Sequence, residues 1–312
     1  MDRSDITLER MRTFVRVAER GSLSAVAREL AIGQSTVTRQ LKELEAALGV
    51  PLLSRTTRRV TLTDEGRRYH ADCVQVLRLV EQAGEEARGT RGAAAGTLRV
   101  TSTAALGVRH ITPLIFAFQD LYPDIAIDLS LSDERVDLVR EGVDIALRLA
   151  PLADSSLKLR PLGMSHRLLV AAPAYLAARG RPAAPRDLAG HEGVRMTNVA
   201  GSDMLVLEGP DGARHQVPFG GRLKVDHGLA ARAALLAGRG FAPAHHWLVD
   251  DLLADGRLEV MLPDYALSPA PLSLLMVPER AGIARVRLLA DFLSARIGGV
   301  PGIVPSRPQS GA

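Results

Sequence analysis

The sequence predicts an α/β protein whose first third is helical and whose remainder alternates strands with helices. Three observations support this expectation. Two short amphipathic helices joined by a tight turn occupy residues 22–50. One long helix is predicted over residues 64–92. After it, short apolar runs alternate with helical segments, a pattern typical of strand–helix–strand units in a sheet.

The helix pair is defined by apolar residues at helical spacing. The two buried faces are Leu23, Val26, Ala27 and Leu30, and then Val37, Leu41, Leu44 and Leu48. Gly33 supplies backbone freedom at the turn, and Gly49 is the expected C-cap of the second helix. This pattern predicts a helix-turn-helix, whose second helix enters the DNA major groove. An ordinary helical hairpin with solvated polar residues is the alternative.

Polar residues at the start of the second helix favour contact with DNA. Short or planar polar side chains are suited to base edges and phosphates. The residues of this kind are Gln34, Ser35, Thr36, Thr38, Arg39 and Gln40. Ser22 and Lys42 complete this part of the candidate set. Residues 1–63 contain 11 Lys and Arg against 7 Asp and Glu, whereas the rest contains 28 of each sign. The whole formal excess therefore lies on the segment that would approach phosphates.

A small β-hairpin is predicted for residues 50–63, after the helix pair. Arg55, Arg58 and Arg59 surround its tip, and apolar residues alternate with threonines behind it. Such a basic wing would reach a phosphate or the minor groove. A solvated surface turn is the alternative interpretation.

The long helix over residues 64–92 begins after Thr63, its expected cap. Its predicted apolar seam, with Leu77 beside it, consists of Tyr69, Cys73, Val76, Val80, Ala83 and Ala87. The spacing predicts packing against a partner helix, and self-pairing would place two DNA-binding heads on a two-fold axis. Cys73 is interpreted as an inert helix thiol rather than a redox sensor. Small residues at 89–96 predict a hinge.

The remaining chain predicts a parallel sheet with covering helices. The expected strands are residues 97–102, 125–130, 144–149, 168–172, 194–197, 222–225 and 272–276. The expected helices are residues 105–120, 136–141, 229–237 and 284–296. Residues after 301 are rich in Pro, Gly and Ser, which predicts a flexible tail.

These motifs resemble one known family over almost the whole chain. From about Leu8 to Gly66 the chain is similar to the winged helix-turn-helix of LysR-type transcriptional regulators. The matching elements are Gly21-Ser22, Ala25, Ala27, Leu30, Gln34-Ser35, Val37, Arg39-Gln40, Leu44-Glu45, Leu48-Gly49, Leu52-Leu53, Arg55, Arg58, Leu62-Thr63 and Gly66. Gly33, Thr38 and Leu53 depart from the family's usual Ser, Ser and Phe. Tyr122-Pro123-Asp124 and Gly142-Val143-Asp144-Ile145-Ala146 resemble the family's effector-binding domain.

The resemblance implies a domain organisation and a function. It implies a DNA-binding domain at residues 1–63, a dimerisation helix at 64–92, a two-lobed effector domain at 93–300 and a tail at 301–312. The two lobes would resemble periplasmic solute-binding proteins. The expected partners are an inverted-repeat operator in double-stranded DNA, a small organic acid or aromatic metabolite, a second copy in a homodimer or homotetramer, and RNA polymerase for an activator.

The candidate effector site begins at Thr101, Ser102 and Thr103, where the first strand ends and a helix begins. Their hydroxyls and nearby N–H groups are suited to an anion, with plain N-capping as the alternative. Arg148 is a candidate counter-charge. The resemblance adds four residues across the cleft, Thr197, Asn198, Asp226 and His227.

His245 is a further candidate for this pocket. The pair His245-His246 stands where the family more often has Leu-Pro, and His227 is also a departure. Adjacent histidines without a nearby cysteine do not predict a metal site. No cofactor is expected.

Composition and motifs argue against other classes of protein. A single cysteine excludes an internal disulfide, and the charged N-terminus lacks an apolar signal core, which predicts a cytoplasmic protein. The sequence contains no apolar run long enough for a membrane span. A solute receptor would need an export signal. An enzyme is not predicted, because nucleophile-elbow, phosphate-loop and dinucleotide motifs are lacking.

Overall fold

A computed structural model describes residues 6–55, 60–87, 95–134, 137–139, 141–150, 157–199 and 202–306. The chain divides into two compact units, each considered by itself. One comprises Met1–Gly92 with Val136–Gly142, and the other comprises Ala93–Arg135 with Val143–Ala312. None of the described helices is long and apolar enough to cross a membrane.

The described residues of the N-terminal unit form four helices and a two-stranded hairpin. The elements are α1 (Leu8–Arg20), α2 (Leu23–Glu29), α3 (Gln34–Leu48), β1 (Leu53–Arg55), β2 (Val60–Leu62) and α4 (Asp64–Ala87). Phe14, Val26, Val37 and Leu44 are fully buried at its centre. Gly49 has φ +73° and ends α3 as predicted. The predicted helix-turn-helix is therefore confirmed.

The hairpin is fixed to α4 by close backbone packing. Thr63 Oγ1 accepts a hydrogen bond from Gly66 N at 2.9 Å, which confirms the predicted cap. A Cβ atom placed on Gly66 would overlap the carbonyl oxygen of Leu52, just before β1. The position therefore requires glycine, because the backbone of Leu52 leaves no space for a Cβ atom.

The predicted seam of α4 is divided between two faces. Cys73 and Leu77 are buried in the core that α1 shares with α4. Val76, Leu79 and Val80 are exposed within this unit. The helix α4 therefore has one apolar face that is buried inside the unit and a second apolar face that is exposed. The side chains of Ala83 and Ala87 and most of the predicted hinge lie outside the described residues.

The second unit contains fourteen strands among its described residues. They are β3 (Gly96–Ser102), β4 (Ile125–Leu131), β5 (Ile145–Leu149), β6 (Lys158–Ser165), β7 (Arg167–Ala171), β8 (Val194–Met196), β9 (Met204–Glu208), β10 (Arg214–Pro218), β11 (Leu223–Val225), β12 (Phe241–His245), β13 (Glu259–Val260), β14 (Ala266–Leu267), β15 (Ala270–Met276) and β16 (Ile303–Pro305). The α-helices are α5 (Ala104–Leu106), α6 (Thr112–Leu121), α7 (Pro173–Arg179), α8 (Gly228–Leu236), α9 (His246–Ala254) and α10 (Ala284–Arg296).

The first lobe is built on a six-stranded sheet in the order β16-β6-β15-β5-β3-β4. In this sheet only the β3 pairings with β4 and β5 are parallel. The predicted parallel pairing is therefore correct for β3, β4 and β5, and also for β8 and β11, which pair in parallel in the second lobe, and it is wrong for β7 and β15. The second lobe contains the sheets β12-β7-β13, β11-β8 and β10-β9-β14. The chain crosses between the lobes at His166, from β6 to β7.

Two sequence predictions are corrected by these elements. The helix expected at residues 136–141 is wrong, because the described residues of that segment form turns. The tail expected from residue 301 is wrong in its first part, because Ile303–Pro305 pairs with β6. Residues 307–312 lie outside the described residues.

The helix that follows β3 is one continuous rod with a local irregularity. A π-helical segment, Gly107–Ile111, joins α5 to α6. The sequence predicted a helix here, but not the wider turn. Single π-helical turns often occur at functional sites.

Candidate functional site

The exposed face of α3 brings together most of the predicted DNA contacts. Gln34, Ser35, Thr38, Arg39 and Lys42 line one open concave surface together with Glu43. Their spacing places them on successive turns of one helical face. Thr36 lies at the edge of this face and is half-buried. The face is therefore polar, accessible and narrow enough to enter a major groove.

Electrostatics of this face favour a polyanion. Glu43 accepts a hydrogen bond from Arg10 Nη2 at 2.6 Å, and its other oxygen lies 3.9 Å from Arg39 Nε. Arg39 remains 69% exposed, so its guanidinium is available to a second partner. Lys42 adds an exposed ammonium beside it. Glu43 is thus paired with Arg10 and lies close to Arg39, and the exposed cations Arg39 and Lys42 give this face positive charge.

The start of α3 adds further partial positive charge. Gly33 is its N-cap and provides no side-chain hydrogen bond, and the first turn contains no acidic residue. The first N–H groups of the helix and its dipole are therefore not compensated locally. Gln34 and Ser35 lie at this end, where a phosphate would be favourable.

Two predicted DNA contacts have roles inside the domain. Gln40 is buried, its Oε1 accepts from Thr13 Oγ1 at 2.7 Å, and its Nε2 donates to Glu9 Oε1 at 2.6 Å. The amide oxygen and one N–H of Gln40 are used within the domain and the side chain is buried, which argues against Gln40 as a DNA contact. Ser22 caps α2 by accepting from Ala25 N at 3.3 Å, and it is half-buried.

The predicted wing is only partly described. Arg55 pairs with Val60 in the last β1-β2 pair before the connecting residues 56–59. Arg58, Arg59 and the side chain of Arg55 lie outside the described residues. Their contact with DNA therefore stays a prediction.

The cleft of the second unit contains two buried hydroxyls that lack partners. Ser102 Oγ and Thr103 Oγ1 make no hydrogen bond to any described residue, although both atoms are buried. Thr103 is the N-cap of α5 but makes no capping bond through its side chain, which argues against plain capping. Buried polar groups in proteins are nearly always satisfied. Two adjacent exceptions indicate a site for a partner from outside the chain.

Charges beside these hydroxyls have both signs. Arg148 Nη2 lies 3.5 Å from Thr101 Oγ1, so its guanidinium is next to the strand end. Asp133 Oδ1 accepts from Ala104 N at 3.0 Å. The N–H of Ala104 is therefore used within the protein, contrary to the expectation that it would be free for an anion.

The second lobe brings a helix start to the same place. Thr197 N donates to Val225 O at 2.8 Å, and Asn198 Nδ2 donates to Asp226 O at 2.9 Å. His227 caps α8 by accepting from Leu229 N at 3.2 Å. A Cβ on Gly228 would lie 3.0 Å from Cβ of Ala105, so this turn borders the start of α5.

A cluster of ion pairs next to the cleft was not predicted from the sequence. From the π-helical segment, Arg109 donates to Trp247 O at 3.1 Å, Asp250 at 3.0 Å and Asp251 at 2.9 Å. Arg232 on α8 donates to both oxygens of Asp251 at 2.7 and 2.6 Å. These bonds, Arg232 first, hold the pKa of Asp251 well below its usual range. Asp251 therefore connects the two lobes.

Comparison with known proteins agrees with both units. Residues 8–67 match the family model of the bacterial regulatory helix-turn-helix protein, lysR family, and residues 91–298 match the LysR substrate binding domain. The chain belongs to the LysR family. This regulator has a DNA-binding domain and an effector-binding domain, and its relatives are named as transcriptional regulators rather than enzymes.

Individual relatives align along nearly the full length of this LysR-family chain. The regulator CrgA of Neisseria meningitidis serogroup C is 33% identical over 93% of this chain and 97% of its own. DmlR of Escherichia coli is 33% identical over 92% and 93%. The solved structure of Neisseria meningitidis CrgA has a TM-score of 0.61 and 32% identity, covering 94% of this chain and 99% of that one.

The thiol of the LysR-family chain lies in the core of the N-terminal unit. Cys73 is only 1% exposed, and burial raises the pKa of its thiol to about 11. A protonated, buried thiol is a poor nucleophile, which favours the interpretation as an inert helix residue.

Proposed function

We propose that this LysR-family regulator binds an inverted-repeat operator as a homodimer or homotetramer and responds to a small organic acid or aromatic metabolite. The observation that carries the effector response is the pair of buried hydroxyls without partners, Ser102 Oγ and Thr103 Oγ1. Such groups are costly when left unsatisfied and become favourable when a ligand bonds to them. The regulator would act in the cytoplasm, where its operator is found.

The proposed DNA contacts follow from the exposed face of α3. Gln34, Ser35 and Arg39 would contact bases, and Thr36, Thr38 and Lys42 would border the backbone. Ser22 would lie against a phosphate at the start of α2. Arg55, Arg58 and Arg59 would bind phosphate through the wing, and they contribute affinity without sequence preference.

The proposed effector contacts surround the end of β3. Ser102 and Thr103 would bond an oxygen of the ligand, and Arg148 would offset its charge and the charge of Asp133. Thr101 lies behind them, with an exposed fraction of 2%. The second lobe would complete the pocket with Thr197, Asn198, Asp226, His227 and His245.

The proposed oligomer uses the second apolar face of α4. Val76, Leu79 and Val80 are exposed within the N-terminal unit, and a partner helix would cover them. Pairing of two copies would set the spacing of their α3 helices along the operator. Contact with RNA polymerase is proposed for the case of an activator.

Arg39→Ala should lower discrimination between operator and random DNA by about tenfold or more, because one bidentate base contact is worth about 1–3 kcal/mol. Fluorescence anisotropy with labelled DNA from the promoter beside its own gene measures both affinities. Arg186→Ala, a variant of an exposed arginine in the second unit, is the matched control and should bind as the wild type does. Equal discrimination by the Arg39 and Arg186 variants would exclude α3 as the reading helix.

Ser102→Ala should raise the stability of the effector-free protein by about 1 kcal/mol and weaken effector binding. The reason is that the variant removes a buried hydroxyl whose hydrogen bonds are unmade without ligand. Chemical denaturation measures the stability, and thermal shift with small carboxylates measures the binding. A loss of stability in this variant would mean that the hydroxyl is satisfied in the free protein, contrary to the proposal.

A further inference from the structure

The single tryptophan of the chain lies in a polar cluster at the crossing between the lobes. Trp247, at the start of α9, is 2% exposed, and its indole packs parallel to the ring of His245 at 5.3 Å. His110 of the first lobe meets the same indole edge-on at 6.0 Å. Ser165 lies at the end of β6, immediately before the crossing, and is fully buried.

Hydrogen bonds within this cluster determine the position of the proton on His245. Trp247 Nε1 donates to Ser165 Oγ at 2.9 Å, because an indole N–H is only a donor. Ser165 Oγ also lies 2.8 Å from His245 Nδ1, and among the described residues Nδ1 is the one acceptor within reach of the Ser165 hydroxyl hydrogen, so we assign the hydroxyl as the donor to Nδ1. Nδ1 is therefore the acceptor, and a neutral His245 carries its proton on Nε2.

The imidazole of His245 is neutral at physiological pH. Burial lowers the pKa of His245 to about 3, and the charge of Arg167 lowers it in addition. An imidazolium would also lose the bond from Ser165, since Nδ1 would become a donor. His245 therefore offers one N–H donor without a positive charge.

The Nε2 atom is the free end of this chain of bonds. It makes no hydrogen bond to a described residue, and the His245 side chain is half-buried. A donor held by a rigid stacked ring but left without a protein partner is suited to a ligand.

The cluster and the buried hydroxyls both lie toward the carboxyl ends of strands in the six-stranded sheet. β6 runs antiparallel to β15, which runs antiparallel to β5, and β5 is parallel to β3. Ser165 at the end of β6 and Ser102 at the end of β3 therefore lie at one edge of the six-stranded sheet. His245 reaches this edge from the second lobe, at the end of β12.

We propose that His245 determines effector specificity as a neutral donor, with its Nε2–H bonding a carboxylate or carbonyl oxygen of the ligand. Ser165 and Trp247 are positioning residues that fix the tautomer and the ring plane. This inference rests on the proposed effector function and adds the chemistry of one recognition contact.

Two substitutions separate the ligand contact from the structural contact. His245→Asn retains an acceptor near the position of Nδ1 and has no group at the position of Nε2. His245→Gln places an amide N–H near the position of Nε2. The probes are sodium benzoate and sodium succinate, with sodium chloride at equal ionic strength as the control. Emission of Trp247 in the full-length protein reports binding, because no other tryptophan is present.

We expect at least one of the two acids to change Trp247 emission with saturation. His245→Asn should raise the Kd for that acid by about tenfold or more, and His245→Gln should stay within about threefold of the wild type. Equal Kd values for the wild type and His245→Asn would overturn the proposal, as would a wild-type emission that neither acid changes.

A double-mutant cycle tests the positioning role of Ser165. Ser165→Ala alone should raise the Kd for the same acid. The same substitution made in the His245→Asn variant should not raise the Kd further. Additive losses would overturn the positioning role. Operator affinity, measured separately by anisotropy, should be retained in all variants. A wild-type protein that does not bind the operator would instead contradict the proposed function.

Discussion

Replacement of Gly66 by alanine is expected to lower the free energy of unfolding of the N-terminal unit by about 2–4 kcal/mol and to abolish operator binding. The added methyl group would overlap the carbonyl oxygen of Leu52, which is backbone and cannot rotate away. Either α4 or the strand β1 must move. Because Thr63 joins both elements through its bonds to Pro51 O and Gly66 N, the displacement would reach the wing.

Urea denaturation followed by circular dichroism measures the stability of this variant, and anisotropy measures its operator affinity. Gly190→Ala is the matched control, because a Cβ at that position meets no atom within 4 Å and its φ is not positive. The control should differ from the wild type by less than about 0.5 kcal/mol. Normal stability of the Gly66 variant would mean that the contact with Leu52 relaxes at little cost.

Asp251→Asn is expected to destabilise the second unit by about 1–2 kcal/mol. The carboxylate accepts three bonds from Arg109 and Arg232, and bonds to charged groups are the stronger ones, but a 43% exposed side chain is partly screened by water. The variant should also change effector affinity, because Asp251 connects the lobes on both sides of the cleft. Asp250→Asn removes a single bond to Arg109 and should have a smaller effect.

The pH dependence of the Asp251 variant has a definite sign. The folded protein holds the pKa of Asp251 below its ordinary value, so its stabilising contribution is complete above that ordinary value of about 4. The contribution decreases as the pH falls below 4. The stabilities of wild type and Asp251→Asn should therefore differ at pH 7 and converge on acidification. A constant difference from pH 7 to pH 3 would show that the ion pairs do not stabilise the fold.

Elements with strong local periodicity could be predicted from the sequence. The helix expected at residues 284–296 has those bounds in the structure, and α3 begins at the residue after Gly33 as expected. In both cases apolar spacing and the flanking residues agree with the tertiary packing. The helix expected at residues 136–141 lacked such flanking signals, and turns occur there instead.

Seven of the fourteen described strands of the second unit were not predicted, and two of them, β6 and β12, contain a proline in their interior, which weakens a strand pattern in the sequence. Pro243 lies in β12, which is an edge strand and tolerates a missing N–H donor. Pro161 lies in β6, beside the register shift between Leu272 and Ser273 of β15. Ser165 ends β6 and His245 ends β12. Because neither strand was predicted, the contact between these two residues could not be predicted either.

The candidate sites were predictable where one short segment contains them. Ser102 and Thr103 could be proposed because a strand end followed by a helix is a local pattern. Gln40 was assigned wrongly because helical spacing alone does not show that Thr13 and Glu9 use its amide. Arg109 and Asp251 are separated by more than a hundred residues, and only tertiary packing joins them.

The π-helical segment changes the direction in which side chains point before and after it along the helix. Without the wider turn at Gly107–Ile111, the side chains of Arg109 and His110 would rotate about the axis relative to Ile115 and Phe118, which are buried in the core. Removal of one residue from this segment would restore a regular α-helix. Arg109 and His110 would then point in a different direction relative to Ile115 and Phe118. Because of the extra residue, one helix can direct Ile115 toward the sheet of its own lobe and, about one turn earlier, Arg109 toward the opposite lobe.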